Sequence, residues 1–97
     1  MNRAITADQV RDTEWATISH TDFERGGWGY IWESVSFPGL VRKIWRRTRH
    51  DVTRQSMFVG RECLGVYLLD ASEPFPPEVY AHAAHLLNAN RSEEQAA

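Results

Sequence analysis

Residues 37–55, FPGLVRKIWRRTRHDVTRQ, decide how the rest of the chain is read. At about 100° per residue, Leu40, Val41, Ile44, Trp45 and Thr48 gather on one side, and Arg42, Lys43, Arg46, Arg47, Arg49 and His50 on the other. Pro38 suits the first turn of a helix, with Ser36 just upstream as a cap. The cations near the end suit the negative pole of the macrodipole. The stretch is therefore expected to form a basic amphipathic helix followed by a connector.

The polar face of that helix would carry one sign of charge. No Asp or Glu occurs from Pro38 through His50. In a helix, Arg42/Arg46 and Lys43/Arg47 would be like-charge neighbours, each pair costing about 0.2–0.5 kcal/mol. Acidic groups from elsewhere in the fold, such as Asp22, Glu24 or Glu33, or an external anion must then offset the repulsion. Lys43 is the only lysine in the chain, and arginine's planar fork suits bidentate contacts to phosphate or carboxylate. Arg42, Lys43, Arg46, Arg47, Arg49 and Arg54 are thus candidates for binding a polyanion or an acidic partner.

Working toward the N-terminus, Glu14–Phe23 and Trp28–Phe37 read as two strands joined by Glu24-Arg25-Gly26-Gly27. Alternation in the second places Trp28, Tyr30 and Trp32 on one face and Ile31, Val35 and Phe37 on the other. Ile31, Val35 and Phe37 are assigned to the core. The aromatic row is then either covered or an exposed stacking and contact surface, since Trp, Tyr and Arg concentrate at interface hot spots. Before these strands, Thr6 and Gln9 have capping-box spacing, and Ile5 and Val10 that of a hydrophobic staple, so a short helix opens the chain.

Toward the C-terminus, Ser56–Val59 and Glu62–Leu69 read as a second hairpin around Gly60-Arg61, a pair compatible with a type II′ turn. CLGVYLL, residues 63–69, is nearly continuous in apolar residues, so that strand is expected to be central and buried on both faces. Cys63 should pack there as an inert thiol, and Gly65 should admit a close approach. A second long helix is expected from Pro77 to about Asn88, with Val79, Tyr80, Ala83, Leu86 and Leu87 inward.

The 97 residues suffice for one domain. Residues 1–90 are assigned to it, and residues 91–97 to a disordered polar tail. The net charge of −2 conceals an asymmetry: residues 1–37 carry three basic and six acidic groups, residues 38–61 seven and one, and residues 62–97 one and six. A dipolar chain of this kind is unlike a nonspecific nucleic-acid coat protein, which is basic overall. A lone cysteine, no signal-peptide pattern and no run long enough to span a bilayer imply a cytoplasmic protein with no membrane association.

Chemistry-bearing constellations are sparse. His82 and His85, with Glu78 one turn earlier, lack a further ligand, so no metal is assigned. Gly26-Gly27-Trp28-Gly29 lies in a hairpin turn and is no phosphate loop. No cofactor is implied, and no catalytic residue is assigned. The expected fold is α+β: a four-stranded, mainly antiparallel sheet with two longer helices on one face and a short N-terminal helix. The expected function is that of a non-catalytic binding module whose basic helix docks nucleic acid or an acidic, nucleic-acid-handling protein. The alternative is a protein–protein inhibitor or adaptor of phage or mobile-element type, acting through the Trp28/Tyr30/Trp32 strand. A small RNA-cleaving toxin using His50 is a third reading.

Overall fold

The computed structural model describes residues 3–23, 27–46, 52–70 and 73–96. Arg47, Thr48, Arg49 and His50 lie outside the described residues, as does most of the Glu24–Gly27 turn. The order is α1 (Ala7–Arg11), β1 (Trp15–Phe23), β2 (Gly27–Ser34), β3 (Leu40–Arg46), β4 (Val52–Val59), β5 (Glu62–Asp70) and α2 (Pro77–Ala96). The five strands form one antiparallel meander, each beside its sequence neighbour. The α+β class holds, but among the described residues the sheet has five strands where four are expected, and there is one long helix where two are expected.

The extra strand is the stretch read as a basic helix. Phe37-Pro38-Gly39-Leu40 is a β-turn rather than a helix start. The Leu40 amide donates to the Phe37 carbonyl at 3.0 Å, and Gly39 has φ +92°, as a type II turn with Pro then Gly at its centre requires. Ser34, buried at the end of β2, accepts from the amides of Ser36 (3.2 Å) and Phe37 (2.9 Å) and so shapes the approach to the turn. Ser36 therefore caps no helix. Beyond the turn, LVRKIWR is extended and lies between β2 and β4. Val41, Ile44 and Trp45 favour a pleated strand, and neighbouring ladders on both sides outweigh a helical period spread over few turns.

Directly opposed residues of antiparallel strands share a face. One face carries Trp28, Tyr30, Trp32 and Ser34 of β2, then Leu40, Arg42, Ile44 and Arg46 of β3, then Thr53, Gln55, Met57 and Val59 of β4. Helix α2 packs on this face over β4 and β5, and α1 packs against α2. Leu40, Met57, Leu69, Phe75, Val79, Ala83 and Leu87 make the core between the layers. The face assignment expected for β2 is thus reversed: the aromatic row shares the core face, Ile31 is half-buried on the other, and Val35 is exposed.

The helices match the expected patterns more closely. The Thr6 side chain accepts from the Gln9 amide (3.2 Å), and the Gln9 side chain accepts from the Thr6 amide (2.9 Å). Ile5 and Val10 are buried beside them. Helix α2 starts at Pro77 but continues to Ala96, past the expected stop at Asn88. Asn88 instead clamps the N-terminal segment, accepting from the Ile5 amide (2.8 Å) and donating to the Ile5 carbonyl (2.9 Å). Among the described residues, no helix is long and apolar enough to cross a membrane.

Candidate binding surface

Strand geometry separates the predicted cationic cluster. Arg42 and Arg46 point to the helix-bearing face, while Lys43 and Arg54 point to the other. In a strand, residues four apart are separated by roughly 13 Å, so Arg42 and Arg46 are not the close like-charge neighbours that a helix would make them. Arg47 and Arg49 lie outside the described residues. No single face gathers the described cations.

On the helix-bearing face, the arginines and the aromatic row are one feature. Trp32 lies directly across from Arg42, and Trp28 across from Arg46. The guanidinium carbons sit over the indoles at 5.6 Å and 4.9 Å. Tyr30 lies between, its ring 6.4 Å from Trp28, 5.7 Å from Trp32 and 4.7 Å from His20. Arg42 continues the stack toward the core, 5.3 Å over Phe75, which meets Tyr67 and Tyr80 edge-on. Trp28, Tyr30 and Trp32 are half-buried in this layer. The stack lies over β2 and β3, to the side of the strands over which α2 mainly packs, and each cation–π contact is worth about 0.5–2 kcal/mol depending on its desolvation.

Arg42 belongs to that interior. Its Nε donates to Gln55 Oε1 at 2.9 Å, and its Nη2 donates to the same oxygen. Gln55 Nε2 donates to Thr53 Oγ1 (2.7 Å), and Thr53 Oγ1 donates to the Leu69 carbonyl (2.8 Å). Gln55 and Thr53 are buried, and no buried side-chain polar atom among the described residues lacks a partner. Burial pushes the Arg42 guanidinium below arginine's usual range, opposed by the nearby Tyr80 phenol. The expected counter-charge from Glu33 is not there: Glu33 accepts from the Gly39 amide (3.2 Å) instead. Among the described residues the ion pairs are those of Arg11 with Asp8 (3.2 Å) and Asp12 (3.0 Å).

The opposite sheet face carries no helix among the described residues. Two cross-strand rows run over it: Ser19, Ile31, Lys43, Ser56 and Val66, then Thr21, Gly29, Trp45, Arg54 and Leu68. Val66 is 59% exposed and Leu68 70%. The central short side chains leave an open trough of about 260 Å³, with Lys43 and Arg54 among its lining. The Lys43 ammonium rests 4.5 Å over the Phe58 ring.

Strand β5 is therefore an edge strand with alternating burial, not a central one. Leu64 and Leu69 are buried, whereas Cys63, Val66 and Leu68 are exposed. Cys63 is a free thiol on the open face, and the expected burial that would keep it inert is absent. The sequence signal that marks this face is the nearly continuous apolar run of β5, whose alternate residues stand in solvent on an edge strand.

His82 and His85 are exposed on α2, and no three His, Cys, Asp or Glu side chains converge among the described residues. Comparison of the chain with models of protein families, with curated proteins and with solved structures finds no match.

Proposed function

We propose that the chain is a non-catalytic binding module whose open sheet face docks an acidic, partly apolar protein surface. One observation carries this reading. Strand β5 has the near-continuous apolar sequence of a strand buried on both sides, yet Val66 and Leu68 stand in solvent. A sheet face with exposed apolar side chains and, among the described residues, nothing over it is a mark of an interaction surface. The cations within it, Lys43 and Arg54, set the charge that a partner must complement.

A polyanion ligand is less well supported. Arg42 is committed to Gln55 and two aromatic rings, and the remaining described cations of the stretch are divided between faces. Phosphate chains are recognised by cations laid along one track.

The test is retention of a partner from nuclease-treated extract by the full chain and by a Val66→Thr/Leu68→Thr variant. One stoichiometric protein should be held by the parent and lost by the variant, with both equally stable. Equal retention by the two would remove the open face from the binding surface.

A further inference from the structure

Resting on that reading of the open face, we infer that the trough between Lys43 and Arg54 is the seat of a partner carboxylate, carried by a side chain with apolar residues on either side. Lys43 lies opposite Ser56, and Arg54 opposite Trp45, so the two cations are diagonal neighbours on adjacent strands. Such positions are about 7–8 Å apart, a span over which two long side chains can converge on one carboxylate. Lys43 leans toward Phe58, on the side away from Arg54, and Ser56 lines the space left between them. With no carboxylate within ion-pair distance among the described residues, the Lys43 ammonium takes an aromatic face as its partner. Ile31 and Val66 flank the trough and match apolar neighbours of the incoming acid.

The surroundings select this occupant over two others. A nucleic-acid strand continuing across the face would run toward Glu33 or Asp70, which share it, so among the described residues the cationic spot is local and fits one charge. A second copy with its two-fold axis through the trough would set Lys43 and Arg54 against their own duplicates, and facing like charges disfavour that arrangement strongly.

The experiment is amide chemical-shift mapping of the full labelled chain with three probes: a hexapeptide alternating leucine and glutamate, its leucine–glutamine counterpart, and octathymidylate. The glutamate peptide should shift Ile31, Lys43, Arg54 and Ser56 and bind about tenfold more tightly than the glutamine peptide, as charge-assisted bonds imply. Lys43→Gln with Arg54→Gln should erase that difference and leave the glutamine peptide's affinity unchanged. Equal binding of both peptides on this face would overturn the carboxylate seat while leaving the open face as a docking surface. Shifts from neither peptide would overturn both. Stronger shifts at Lys43 and Arg54 from octathymidylate would overturn the protein carboxylate in favour of phosphate.

Discussion

Arg42 shows how a cation without a carboxylate partner is kept inside this fold. Its hydrogen bonds end on Gln55, and the rings of Trp32 and Phe75 both lie within cation–π range of it. Removing only the acceptor leaves a half-buried charge poorly solvated, so Gln55→Leu is expected to destabilise the chain by about 1.5–3 kcal/mol. Adding Arg42→Met should recover most of that loss, because replacing both partners by apolar groups is often close to neutral. A double-mutant cycle by urea denaturation measures the coupling. Because burial lowers the guanidinium's pKa, the folded state holds this proton less tightly than the unfolded state. The burial cost is therefore constant across neutral pH and is relieved only as alkaline pH rises through the folded value. Stability attributable to Arg42, taken as parent minus Arg42→Met, should be flat across neutral pH. Gly65 is the other residue with a sharp requirement. Its φ is +121°, and an added Cβ would lie 2.8 Å from the Tyr67 hydroxyl oxygen. Gly65→Ala should cost about 1–3 kcal/mol in thermal or urea unfolding, since the backbone strain persists even if the ring moves.

Among the elements, β3 and α2 carry the departures from sequence expectation. Residues 40–46 show a helical stripe and no strict apolar–polar alternation, yet Val41, Ile44 and Trp45 suit a strand as well. The Pro-Gly pair was the discriminating signal: it makes a turn before the strand, whereas a helix start needs Pro without the following positive φ. Helix α2 holds α1 in place through Asn88, whose side chain satisfies both backbone polar groups of Ile5. Asn88→Ala is expected to cost about 1–3 kcal/mol and to raise hydrogen exchange in the Ile5–Val10 segment before the sheet is affected. Exchange that rises uniformly through the molecule would contradict this separate role for the clamp.

The whole molecule is a two-layer fold in which one layer is incomplete. Helix α2 covers β4 and β5, the aromatic–arginine stack extends over β2 and β3, and among the described residues no helix covers the opposite face. Val66→Thr with Leu68→Thr should leave unfolding free energy within about 0.5 kcal/mol, as expected for exposed positions, while lowering binding of a hydrophobic dye such as ANS. A large loss of stability would show that these side chains are covered in solution. Salt provides a second whole-molecule measurement. A face that tracked single-stranded phosphates would lose affinity with a logarithmic slope near −0.7 per contact. A single carboxylate seat predicts a shallow slope.

Local chemistry was legible wherever a residue's role depends on near neighbours. The Thr6/Gln9 capping box, the Pro77 helix start, the Gly60-Arg61 turn and the inward stripe of Val79, Ala83 and Leu87 could all be read from spacing alone, because each rests on bonds or packing within a few residues. The state of residues 37–46, the burial of the Trp28/Tyr30/Trp32 row and the exposure of β5 could not. A strand exists only through its neighbours' hydrogen bonds, and a face is inside or outside only by what lies over it. For Arg42 and Arg46 this decides everything: neighbouring strands turn a supposed run of repelling charges into guanidinium groups laid over tryptophan rings.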